Sequence, residues 1–134
     1  MSGKGTYVLR GKQGHQIVKS QTFDIDNGSG TTVDEVLLAN LPYAIQLVRV
    51  QAVYTVATDT AGAASANFKL GVTAGGNTLV GATALEVSKA AGSATVATIT
   101  LDTMAAAAAL FVRHTGIAAT EAGSYYVEVV YRVV

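Results

Sequence analysis

From Tyr125 to Val134 the chain alternates: Tyr125, Val127, Val129, Tyr131 and Val133 share one parity, while Glu128 and Arg132 fall on the other. Successive side chains of a β-strand point to opposite faces, so a period of two predicts a strand with one buried and one solvated face. The pattern runs to the final residue, and the expectation is that the chain ends inside its sheet. The same reading recurs upstream. Over Gln16 to Asp26, Ile17, Phe23 and Ile25 oppose Thr22, Asp24 and Asp26, and further on Ala66, Phe68, Leu70 and Val72 oppose Ser65, Asn67 and Lys69. In Tyr43 to Val56 the parity switches, with Ile45 and Leu47 odd and Val48, Val50, Ala52, Tyr54 and Val56 even. One extra residue has that effect, which predicts a β-bulge near Leu47 and Val48, bending a long strand shared by two packed sheets.

Turns separate these segments. Asn27-Gly28-Ser29-Gly30 and Gly75-Gly76, within Thr73 to Asn77, supply residues that tolerate positive φ. Short strands are expected at Tyr7 to Leu9, Thr78 to Val80, Ala94 to Leu101 and Leu110 to His114, with Thr115 to Gly123 linking the last of these to the terminal strand. Two stretches stay open between strand and helix. Thr32 to Leu41 has capping-box spacing at Thr32 and Glu35, yet its β-branched and aliphatic content favours a strand ending at Pro42. Thr83 to Ala91 reads as a single helical turn or an extended connection, and Ala105 to Ala109 as a loop or one turn, too short to be stable alone. Eight or nine short strands with Gly-marked turns argue for one antiparallel sandwich or barrel, all-β, spanning 15–134 behind an extended arm, 1–14. At 134 residues the chain suffices for a single self-sufficient core.

Charged residues make up 13% of the chain, about half the ordinary share, against 50% hydrophobic. So few charges on so apolar a chain imply a surface that meets other protein. The formal net charge is +0, which gives the whole molecule no pull towards nucleic acid or an anionic membrane. Without cysteine there are no disulfides or thiolate sites. The start lacks an apolar h-region and no apolar run reaches membrane-spanning length, so a cytoplasmically made, soluble product is expected. The charges are unevenly placed: Lys4, Arg10, Lys12 and Lys19 all precede the first acid, Asp24. Lys4, Arg10 and Lys12 therefore form a candidate docking arm for an acidic protein surface.

Chemistry-bearing constellations are sparse. His15 and His114 lie outside any metal-ligand spacing and outside the His-x-His pattern of catalytic cupins, so both are expected in surface or packing roles. Gly11-Lys12-Gln13 lacks the Ser or Thr of a phosphate loop. Asp24-Ile25-Asp26-Asn27-Gly28 begins like a calcium loop but fails at its later positions. Asp34 and Glu35 are adjacent and on a strand would point apart, unsuited to glycoside chemistry, and there is no Gly-x-Ser-x-Gly nucleophile turn. No catalytic, cofactor-binding or metal residue is expected, and no cofactor.

Two blocks, Leu47 to Gly81 and Leu110 to Val134, resemble small jelly-roll virion proteins of tailed bacteriophages. The resemblance rests on Val48-x-Val50-x-Ala52-x-Tyr54-Thr55, Phe68-x-Leu70-Gly71 with its Gly-rich turn, Val112-Arg113-x-Thr115-Gly116, Ala122-Gly123, and the Tyr- and Val-rich last strand. It implies a jelly-roll β-sandwich of about eight strands in a non-enzymatic virion structural protein. A head decoration or capsid-stabilising subunit is favoured, often trimeric and bound to a major capsid or other virion protein. A tail-associated receptor- or glycan-binding module is the alternative within that resemblance, with Asp59 to Ala64, Thr73 to Asn77 and Thr115 to Gly123 as its loops.

Overall fold

The computed structural model describes residues 14–59, 66–117 and 122–134. The expected arm, with Lys4, Arg10 and Lys12 and the short strand at Tyr7 to Leu9, lies outside the described residues. Ten strand segments follow in order: β1 (His15–Lys19), β2 (Phe23–Asp24), β3 (Thr32–Leu38), β4 (Ile45–Val56), β5 (Asn67–Gly71), β6 (Val80–Ala84), β7 (Ala94–Val96), β8 (Thr103–Met104), β9 (Leu110–Thr115) and β10 (Ser124–Val133). Among the described residues there is no helix, hence none long and apolar enough to cross a membrane.

All ladders are antiparallel, in two sheets. The first runs β1-β10-β4-β7, with β2 also on β10 and β8 also on β4; the second runs β3-β9-β5-β6. Because β4 occupies one side of β10 along its length, β1 and β2 share the other side, and β7 with β8 likewise share the far side of β4. The ten segments thus fall into four lanes per sheet. Pairing is nested along the chain: β1 with β10, β3 with β9, β4 with β7, β5 with β6.

The core lies between the sheets. The first contributes Ile45, Leu47, Val50, Ala52 and Tyr54 of β4 and Tyr125, Val127, Val129 and Tyr131 of β10. The second contributes Phe68 and Leu70 of β5 and Leu110, Val112 and His114 of β9. Burying each of the larger apolar side chains stabilises the fold by about 1.5–3 kcal/mol before the entropy of ordering it is charged against that gain.

The switch in parity within β4 is a bulge: Val130 pairs with Arg49 and Tyr131 with Leu47, which leaves Val48 unpaired and exposed. The strand is not shared between sheets, however; its partners β10, β7 and β8 all belong to the first sheet. A second irregularity skips Thr55, so that Val56, expected inside, pairs with Ser124 and is 51% exposed. A third separates β1 from β2. Lys19 pairs with Glu128 and Phe23 with Tyr125, so three residues, Ser20 to Thr22, stand opposite Tyr126 and Val127. The slip turns Ile17 outward, 60% exposed, although it shares parity with buried Phe23. Ser20 holds the slipped segment: its N–H donates to Val127 O (2.9 Å) and its Oγ accepts from Val127 N (2.8 Å).

Thr32 to Leu38 is a strand, as its composition favours. Thr83 to Ala91 takes the extended form, since β6 runs from Val80 to Ala84, later than Thr78 to Val80, and the chain after it is non-helical. Tertiary bonds outcompete the local capping signal there. Leu85 N donates to Ala66 O (3.0 Å), Glu86 N to Tyr54 Oη (2.9 Å) and Lys89 N to Thr58 Oγ1 (2.7 Å). Ala105 to Ala109 is a loop with Ala107 at φ 67°. Ala94 to Leu101 is strand only at Ala94–Val96, with a single bridge from Ile99 to Val80. Val72, beyond the end of β5, is exposed.

Candidate association surfaces

The outer face of the first sheet is built from cross-strand rows, because side chains of paired residues stand side by side. Lys19, Glu128, Gln51 and Val96 form one row, and His15, Arg132, Gln46 and Thr103 another. Glu128 accepts from Gln51 Nε2 (2.9 Å) and lies 3.7 Å from the Arg49 guanidinium. Lys19 Nζ sits 5.4 Å from the Tyr126 ring centroid, a cation–π contact. A depression of ≈ 350 Å³ on this face is lined by His15, Gln46, Leu47, Val48, Asp102 and Arg132. Its polar groups satisfy one another: Arg132 Nε donates to Gln46 Oε1 (2.7 Å) and Gln46 Nε2 to Asp102 Oδ2 (2.8 Å). Arg132, Gln46 and Asp102 thus form one hydrogen-bonded chain across the depression.

On the second sheet Arg113 of β9 forms a fork onto Asp34 of β3, Nε to Oδ1 and Nη2 to Oδ2, both 2.7 Å. That hydrogen-bonded guanidinium holds the Asp34 carboxyl below its ordinary range. The β5–β6 turn folds back over this pair. Gly75 has φ +73°, and a Cβ there would stand 2.7 Å from the Arg113 guanidinium carbon; a Cβ on Gly71 would stand 2.6 Å from the Gly76 carbonyl carbon. Glycine at 71 and 75 therefore lets the turn lie flat on the sheet.

The two histidines are apart, as expected from their spacing. His15 is exposed on β1, and His114 is fully buried, stacked on Phe23 with ring centroids 5.2 Å apart. His114 Nδ1 and Tyr125 Oη are 2.6 Å apart, while Nε2 has no hydrogen-bond partner. Burial pushes the imidazole pKa below its ordinary value, against a weaker opposite pull from Asp24, and pushes the Tyr125 phenol well above its own. A neutral, stacked histidine in the core is a packing residue. Asp24 accepts from Ser124 Oγ (2.8 Å), and among the described residues no three His, Asp or Glu side chains converge to hold a metal. Asp34 and Glu35 point apart, the first onto Arg113 and the second onto Gln21 N (2.8 Å).

One feature was not singled out from the sequence although its signal was there. No charged residue occurs from Leu70 to Leu85 or from Ala90 to Leu101, and the fold brings parts of these runs together at the edge strands β6 and β7, where Glu86 accepts from Thr95 Oγ1 (2.7 Å) and pairs with Lys89 (3.8 Å).

No family model matches the chain, and no curated protein matches it. Among solved structures it is similar to a chain of the cyanophage Pam1 capsid asymmetric unit, with a TM-score of 0.58 and 19% sequence identity over 90% of this chain and 86% of that one. At that identity the likeness is one of fold, and what the two chains share is a two-sheet antiparallel β-sandwich.

Proposed function

We propose that the protein is a non-enzymatic structural component of a phage virion, a head decoration or capsid-stabilising subunit that acts by protein–protein binding. The observation that carries this reading is the likeness of nearly the whole chain to a phage capsid chain. The nested pairing, first lane with last and so inward, supports a jelly roll, the double-sheet form in which a long folded-over chain wraps around itself. The resemblance of Leu47 to Gly81 and Leu110 to Val134 to phage jelly-roll proteins supports it independently. The subunit is made in the host cytoplasm, assembles as a symmetric homo-oligomer, a trimer by that resemblance, and sits on the virion against the major capsid protein or another virion protein. Neither nucleic acid nor membrane is a partner.

Lys4, Arg10 and Lys12 give residues 1–14 a formal charge of +3, and the remaining nine acids and six bases leave the domain at −3. Such an arm is steered to an acidic protein surface. A receptor-binding role is disfavoured, because the turn at Thr73 to Asn77 lies down on the sheet instead of projecting from it. Mass spectrometry of gradient-purified particles tests the reading, which expects the chain as a stoichiometric component and fails if particles lack it. Removing residues 1–14 is expected to weaken rebinding to stripped particles; full rebinding excludes the arm from docking.

A further inference from the structure

Strand β1 is the outermost lane of the first sheet, and among the described residues nothing pairs with its far side. Just past its end, Ser20 N donates to Val127 O of β10 (2.9 Å), and along a strand the backbone groups alternate between its two sides. Those of Gln16 and Val18 therefore face β10 as well, and the N–H and C=O of His15, Ile17 and Lys19 face the open side. Such a row templates another strand unless it is charged or covered. Its Ser20 end is guarded by Lys19 and by Glu35 of β3, which accepts from Gln21 N (2.8 Å). From His15 to Val18 there is no such guard. Ile17 is 60% exposed on the outer face, and on the inner face Val18, with Val33 and Leu37 of the neighbouring β3, is only half-buried.

We propose that the occupant of this edge is the chain's own N-terminal segment, Thr6 to Arg10, laid antiparallel along β1 with Gly11 to Gly14 as the turn. The segment lies outside the described residues but is joined directly to β1, and the backbone bends at Gly14, immediately before the strand starts. Gly11-Lys12-Gln13-Gly14 has the length of a four-residue hairpin loop and Gly at both ends. A loop of that length sets Arg10 opposite His15, Val8 opposite Ile17 and Thr6 opposite Lys19, the three β1 residues whose backbone groups are open. The same register puts Val8 on the outer face beside Ile17. It puts Leu9 and Tyr7 on the inner face beside Gln16 and Val18, where apolar groups are left half-buried. A slip of one residue would undo all of these matches. Tethering favours this occupant over a separate chain, because a short linker holds its segment at an effective concentration on the order of millimolar. The new outer strand brings Lys4, Arg10 and Lys12, charges of the kind that blunt an edge. Lys4 and Lys12 stand outside the paired stretch, so the pairing leaves them for docking. The inference concerns the subunit by itself and does not depend on the virion reading.

The test is amide hydrogen exchange of the full chain followed by NMR, with Val8→Pro as the perturbation. The Ile17 N–H is expected to be protected. Val8→Pro removes the N–H that pairs with Ile17 O and should speed exchange at Ile17 about tenfold or more. Because the chain has no cysteine, a disulfide reports proximity independently. Leu9→Cys with Gln16→Cys makes a non-hydrogen-bonded pair with Cα atoms about 4.5 Å apart, within disulfide reach, and should close inside one chain in a glutathione buffer. Leu9→Cys with Val96→Cys, on the far edge of the sheet, should not close. Gln16 is exposed, so the cysteine variant should keep the wild-type circular dichroism; if Val8→Pro unfolds, the cysteine pairs decide alone. An Ile17 amide that exchanges as fast as in the unfolded chain, protection indifferent to Val8→Pro, or a Leu9→Cys/Gln16→Cys pair that stays open would overturn the proposal. A disulfide formed by that pair only between chains would overturn it too, in favour of the arm of a second copy.

Discussion

His114→Phe isolates the cost of burying an ionisable ring in the core. The imidazole is fully buried, stacked on Phe23 and without a partner at Nε2, so its protonated form is disfavoured in the folded state. The folded pKa is lowered while the unfolded one stays near 6.5, so between the two values the unfolded chain binds more protons. The corresponding stability is fully present above about pH 6.5 and is lost as pH falls below it, at up to about 1.4 kcal/mol per pH unit, until the folded form also protonates. Urea unfolding at pH 7.5 and pH 5 should therefore show a wild-type loss of up to about 2 kcal/mol from this group, the unfolded chain having 1.5 units of titration below 6.5. His114→Phe keeps the stack on Phe23 and removes the titration, so its pH dependence over that interval should be flatter by the same amount. It also strands the Tyr125 hydroxyl, a pH-independent cost of about 1–3 kcal/mol, because that phenol is pushed well above its ordinary value and stays neutral throughout. Asp34, whose carboxyl is lowered from 3.8, loses its contribution only as pH falls below that value, outside the interval. Parallel pH dependences for the wild type and His114→Phe between pH 7.5 and 5 would refute the reasoning.

Two further perturbations probe the core and the folded-back turn. Phe68→Ala empties a fully buried site beside Tyr125, ring centroids 6.0 Å apart, and should cost about 3–5 kcal/mol in urea unfolding. Gly75→Ala demands φ +73° of an L-residue and crowds the Arg113 guanidinium, and should lower stability by about 1–3 kcal/mol on thermal melting, whereas Gly81→Ala, with open space around its Cα, should cost little.

What the sequence revealed and what it hid divide along a physical line. The alternation of β10, β5 and β9 was legible because each strand is solvated on one face, and the bulge at Val48 was legible because an extra residue inverts parity. The slip at Ser20 to Thr22 was not: Ile17 and Phe23 keep the same parity, and only the partner strand reveals that three residues oppose two. Nor was the skip at Thr55, where Val56 continues an apolar pattern yet faces out. Thr83 to Ala91 stayed open between helix and extended chain for another reason. Its helix-start spacing is real, but the orphan N–H groups of Leu85, Glu86 and Lys89 find acceptors distant in sequence at Ala66, Tyr54 and Thr58, and a local propensity worth tenths of a kcal/mol yields to those bonds. On the surface side, the basic arm stood out because charges are few, whereas the meeting of two uncharged runs at β6 and β7 shows only in the fold.

The central claim, that this sandwich is a part of the phage head, is tested most directly by immunogold labelling of intact particles with antibody against the chain. Regular label over the head is the result predicted. Label confined to the tail tip, or none on particles from cells that express the chain well, would contradict it.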